Sequence, residues 1–232
     1  MTSLTSSSLS PQGGERARVR GILRGILSIL FGAVMPIAFL FADPGFFRPG
    51  VFDVAFSGEY RAFFYTAALF AALLVVHATL RAARSRIEAG LLYGAAVVAT
   101  ALGVIMLPLA IIGIRYGYGP LGFSPFVAAW VYLRSGLRAH APQRVSGAAA
   151  AGALAFLLVP LAAQTAVNAT VDLAVAHPGQ SAQRVLAAAR IVFDPEQLVG
   201  RYQATPTAEE KHRLSTAYRA MTGKSIEERL AD

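Results

Sequence analysis

From Ala89 to Ile114 the sequence carries no charged residue, and that run limits the possible folds more than any other feature. As an α-helix at 1.5 Å per residue it is about 39 Å long, enough to cross a hydrocarbon core of about 30 Å with some tilt. Gly25–Phe41, Ala62–Leu80 and Gly147–Val167 are equally free of Asp, Glu, Lys and Arg. Only 15% of the chain is charged and 55% is hydrophobic, whereas a soluble domain carries about 25% charged residues. A bilayer offers backbone amides no water, so runs of this kind must satisfy their hydrogen bonds internally, as helices. The expected fold is all-α: a polytopic integral membrane protein with about five transmembrane helices, near 22–42, 62–80, 89–114, 120–137 and 147–167.

The fourth of these is the hard one. Pro120–Leu133 reaches only about 21 Å as a helix, and about 27 Å if it continues to Leu137 with Arg134 snorkelling to the interface. Pro120 suits a first helical position, and Pro125 must then bend the helix or delay its start. Trp130 and Tyr132 suit an interfacial aromatic belt. The alternative is a re-entrant or surface segment. The turn before it, Tyr116-Gly117-Tyr118-Gly119-Pro120, closes a hairpin with the uncharged run. Prolines at 36 and 108 are expected to kink their helices.

Charge sets the orientation. The arginines cluster at 16–24, 81–86 and 134–144, and Lys/Arg-rich short loops mark the cytoplasmic side. If 120–137 spans, all three clusters fall on one side. The N-terminus is then cytoplasmic and the C-terminal region lies across the membrane. The net charge of +8 therefore points to anionic lipid headgroups at the cytoplasmic face, and nucleic acid is not expected as a partner. The excess of Arg over Lys, with abundant Ala and Gly, fits a GC-rich bacterial genome, and the expected location is the cell inner membrane. The basic stretch before the first run also resembles a signal peptide, but the run is long and no clean cleavage motif follows.

The ends read differently. Residues 1–15 are rich in Ser and Thr and are expected to be a disordered tail. After the membrane domain, 16–176, His177-Pro178-Gly179 stops the last helix, whose pattern extends to Ala176. Residues 180–232 are polar and nearly charge-balanced. Val185, Leu186, Ala189 and Val192 form one helical stripe. Asp194-Pro195 looks like a helix start. Thr207-Ala-Glu-Glu210 and Ser225-Ile-Glu-Glu228 are capping boxes, and Gly223 a C-terminal stop. Two or three short amphipathic helices are expected there, the main one facing inward with Leu214, Ala217, Tyr218 and Met221.

Polar groups at membrane depth are the candidates for function. Gln164, Asn168 and Asp172 recur at four-residue spacing on one helix face. They are either part of a substrate or proton path, or a surface stripe where the helix leaves the hydrocarbon near Val167. Arg115, with Tyr116 and Tyr118, could hold a lipid phosphate or an anionic substrate, or simply anchor the helix. His77 is the one histidine at membrane depth. It is either a pigment or haem ligand or an interfacial hydrogen-bonding group. Gly21-x3-Gly25, Gly90-x3-Gly94 and Gly113-x3-Gly117 match the small-residue packing motif and favour close helix contacts. There is no cysteine, which removes disulfides and thiolate chemistry. No nucleotide, metalloprotease or hydrolase motif is present, so no metal, cofactor or catalytic role is expected. Three functions compete on these grounds. The first is a non-catalytic membrane subunit, scaffold or accessory protein that packs on another membrane protein or on its own copies. The second is a small transporter or channel subunit using the polar stripe, and the third a lipid-acting membrane enzyme.

Overall fold

The computed structural model describes residues 11–41, 60–81, 85–115, 123–139 and 147–231. Every regular element among them is a helix. Four helices are long and apolar enough to cross a membrane: Arg18–Ala38, Arg61–Arg81, Arg86–Ile105 and Ala149–Ala176.

The first rod is composite. Helix α1 (Pro11–Ile29) passes through a π-helical stretch, Leu30–Val34, into α2 (Met35–Phe41). It begins at Pro11, inside the stretch expected to be disordered, with the proline well placed at a helix start although Gly13 and Gly14 follow it in the first turn. In an α-helix the Gly32 carbonyl would accept from the N–H of residue 36, but that residue is Pro36 and has none. The backbone there shifts to π pairing, with the Met35 N–H on the Leu30 carbonyl. The Tyr132 hydroxyl donates to the Gly32 carbonyl at 2.8 Å.

Helix α3 (Arg61–Arg81) runs back along this rod, and α4 (Arg86–Arg115) returns. A reciprocal cap opens α4. The Glu88 N–H donates to Ser85 Oγ, and the Ser85 N–H to Glu88 Oε2. That cap lengthens the helix beyond the uncharged run, and Pro108 lies within it without ending it. Helix α5 (Ser124–Ala139) has 16 residues, about 24 Å at 1.5 Å per residue. It starts later than Pro120, with Pro125 in its first turn, so Pro125 delays the start; Pro120 lies outside the described residues. Helix α6 (Gly147–Ala176) has 30 residues, about 45 Å.

Contacts between helix ends fix the directions. Gly25 of α1 faces Thr79 near the end of α3. Gly136 of α5 faces Tyr93 and the Ala89 carbonyl near the start of α4. Gly152 of α6 faces the Ile87 carbonyl. One end of the bundle thus gathers the end of α3, the start of α4, the end of α5 and the start of α6, together with the arginines of those segments. We call it the basic end. Among the described residues the four long helices and the shorter α5 run between this end and the far end. Its core is Ala67, Ala71, Val75, Leu92, Ala95, Ala96, Ala128, Val131, Tyr132 and Phe156. Phe70 stacks on Phe156 at 5.2 Å between ring centroids. Side chains this small let backbones meet. A Cβ on Gly90 would run into the Ala149 carbonyl, and one on Gly94 would lie 2.8 Å from the Ala153 oxygen.

Beyond the bundle, four short helices rather than two or three form a separate layer: α7 (Gln180–Ala189), α8 (Glu196–Ala204), α9 (Ala208–Thr222) and α10 (Ile226–Ala231). Leu186, Phe193, Leu198, Leu214, Tyr218, Met221 and Ile226 pack around Val171 and Ala174 of α6. The last turns of α6 are therefore the central post of this layer. Of the expected stripe Val185, Leu186, Ala189 and Val192, Leu186 is buried and Ala189 packs against this cluster, and only the placing of Val185 is corrected. Ala182, Leu186 and Phe193 are the buried positions, while Val185 is exposed. The break at Arg190 after Ala189 rotates the face away from a continuous helical pattern.

Candidate functional site

The polar residues of α6 do not act as one stripe. Gln164 is buried at 5% exposure, and its Oε1 accepts the Phe63 backbone N–H at 2.9 Å. Phe63 lies in the first turn of α3, where backbone N–H groups have no partner inside the helix. A glutamine from a neighbouring helix supplies one. Its Nε2 donates to Asn168 Oδ1, also at 2.9 Å. Gln164 and Asn168 are thus brought together and engaged. Asp172, one turn further on, is exposed and pairs with Arg201 of α8. Sequence spacing puts the three side chains on one face, and two different partners divide them.

This arrangement also fixes a level. The α3 start and Gln164 of α6 lie at the same height, so α6 continues beyond the far end of α3 for about 18 Å, from Gln164 to Ala176. Along that projection lies a polar groove bounded by Asp172, Arg201, Thr207, Glu209, Glu210 and Arg213. Arg213 pairs with Glu209 across one helical turn. Thr207 is the cap of α9 with extended backbone, but its hydroxyl donates to Glu210 Oε2 at 3.4 Å, and the reciprocal backbone bonds of a capping box are not formed. The second box is complete: Ser225 N–H to Glu228 Oε2 at 2.8 Å and Glu228 N–H to Ser225 Oγ at 3.2 Å. Asp194 Oδ1 accepts the Glu196 N–H at 3.2 Å at the start of α8. Gly223 ends α9 at φ 85°, a left-handed conformation that suits glycine.

The most perturbed carboxylate of the outer layer is Glu227. The Ser215 hydroxyl donates to its Oε2 and the Tyr202 hydroxyl to its Oε1. These bonds favour the charged form, the Ser215 bond first, and lower its pKa to about 2. The Ile226 N–H donates to Ser215 Oγ, so α8, α9 and α10 meet at this one network. Burial, with the Glu196 carboxylate next, raises Tyr218 above its ordinary value.

His77 stands at the basic end, 45% exposed, with Nδ1 at 3.4 Å from Glu88 Oε1. It ties the end of α3 to the start of α4. Among the described residues no group of three His, Asp or Glu side chains is placed to hold a metal. Tyr116 and Tyr118 lie outside the described residues. Arg115 is the last residue of α4, and its side chain lies outside them too. Of the two aromatics expected in an interfacial belt, only Trp130 is exposed, with the Arg134 guanidinium 4.9 Å over its ring. Tyr132 points into the bundle, where it serves Gly32. No family model, curated protein or solved structure matches this chain.

Proposed function

We propose that the chain is a non-catalytic integral membrane protein with five membrane crossings that serves as an accessory or scaffolding subunit. Four crossings are the long apolar helices. The fifth is α5, supported by its course from the far end of the bundle to Gly136 beside Ala89. At about 24 Å it is short for a 30 Å core, which local thinning and snorkelling of Arg134 accommodate at a fraction of a kcal/mol per Å. The basic end faces the cytoplasm by the distribution of arginine. The membrane domain then comprises 16–176, and the outer layer, 180–232, stands on the opposite surface.

The observation that carries the subunit reading is the engagement of the α6 polar groups. Gln164 is engaged with the α3 helix start, Asn168 with Gln164, and Asp172 with Arg201. A conduit needs polar groups that face a shared path, and these three do not. What the molecule offers outward is a lipid-facing surface rich in Leu, Ile and Val and a rigid polar layer built on the end of α6. Purification from native membranes in a mild detergent tests this. The expected result is a second membrane polypeptide in fixed stoichiometry through two successive columns. A lone, monodisperse chain that moves ions or solute when reconstituted into vesicles would contradict it.

A further inference from the structure

An apolar crevice of about 70 Å³ opens in the half of the bundle nearest the far end, among α2, α3, α4, α5 and Phe156 of α6. Its walls are almost wholly apolar, six alanines of α3, α4 and α5 set among Phe64, Val98, Leu102 and Phe156. Along α3 it runs from Phe64 to Ala71, about 10 Å at 1.5 Å per residue. Apolar cavities stay dry and accept apolar guests. The deepest hydroxyl on its wall, that of Tyr132, is already donated to Gly32, so nothing polar is offered at depth. The rim differs. Ser124 stands there in the first turn of α5. Arg61 lies on the same α3 face as Phe64, Ala68 and Ala71, at offsets of three, seven and ten residues. Arg61 as a residue is partly buried, and it forms no ion pair among the described residues.

A cation one helical turn beyond the Phe64 end of an apolar slot complements one kind of molecule. We propose that the crevice seats an alkyl chain of one anionic membrane lipid, whose phosphate lies against Arg61. This rests on the chain spanning a bilayer as proposed above. The slot then lies in the leaflet opposite the cytoplasm, at the depth of the upper part of an acyl chain. An arginine holds a phosphate by paired N–H donors, and the lipid's own chain fixes where that phosphate sits.

Native mass spectrometry of the full-length protein in detergent tests this with phosphatidylglycerol and phosphatidylcholine of identical chains. The wild-type protein is expected to retain one phosphatidylglycerol under conditions that strip phosphatidylcholine. Ala68→Leu, which fills the slot, should remove that retention. Arg61→Gln, which leaves the slot open, should reduce phosphatidylglycerol to the level of phosphatidylcholine, roughly a tenfold loss. If Ala68→Leu does not fold, Arg61→Gln carries the test alone, because Arg61 does not line the slot. Equal retention of both lipids by the wild type, or phosphatidylglycerol retention untouched by Arg61→Gln, overturns the proposal. Failure of the underlying membrane reading looks different: alkaline carbonate would release the protein from membranes without detergent.

Discussion

At the scale of single residues, the molecule repairs its own backbone defects with side chains from far along the chain. Pro36 deprives the Gly32 carbonyl of a donor, and Tyr132 replaces it across a hundred residues. Tyr132→Phe should lower stability by about 1 kcal/mol, the usual net worth of such a bond in a bundle. Unfolding by a denaturing detergent measures it, and an unchanged midpoint would mean that the hydroxyl is dispensable. Gln164 does the same for the start of α3. Glu227 supplies a pH dependence. Its folded pKa, about 2, lies below the ordinary 4.5. Its contribution is therefore complete above about pH 4.5 and is lost as pH falls towards 2. Thermal melts should show the outer layer weakening over that window, and Glu227→Gln should be less stable at pH 7 and flatter with pH. A variant with the wild-type slope would remove Glu227 from the explanation.

At the scale of elements, small residues decide which helices touch. Gly90 and Gly94 of α4 press on Ala149 and Ala153 of α6 within one chain, so this motif is used internally. Gly90→Val forces α4 and α6 apart, because the obstacle is the Ala149 carbonyl and not a movable side chain. The expected loss is at the upper end of the 1–3 kcal/mol typical of overpacking, about 3 kcal/mol, visible as reduced folded yield in detergent. Gly21→Ala is the control, since a Cβ there meets nothing within 4 Å. Conversely, Asp172→Ala removes an exposed ion pair, worth about 0–1 kcal/mol, and should leave insertion intact; a collapse in membrane-inserted protein would place Asp172 in a tighter role. Much of this level could be read from the sequence. The long helices follow from uncharged runs, and Leu214, Ala217, Tyr218 and Met221 do line the buried face of α9. The Ser85–Glu88 cap was also present in the sequence as S-R-I-E, although the run of apolar residues after it drew the boundary three residues late. What could not be read is pairing over distance. Nothing local tells Gln164 that Phe63 needs an acceptor, or Tyr132 that it belongs inside the bundle and not in a belt.

At the scale of the molecule, the account rests on the number of crossings. In the five-crossing arrangement proposed above, the basic end lies on one side and the α6 projection with its outer layer on the other. The energetic grounds are the arginines near α5 and the modest cost of a short helix. The chain has no native cysteine, so single cysteines report cleanly. A Cβ at Gly147, at the basic end, and at Gly200, in α8, meets nothing within 4 Å, so both positions accept the change. Gly147→Cys and Gly200→Cys, each treated in sealed cells or vesicles of known orientation with a membrane-impermeant maleimide, give the most direct measurement. The account predicts that Gly200→Cys labels from outside and that Gly147→Cys labels only after permeabilisation. Labelling of Gly147→Cys from outside, with Gly200→Cys protected, would mean that α5 does not cross and would contradict it.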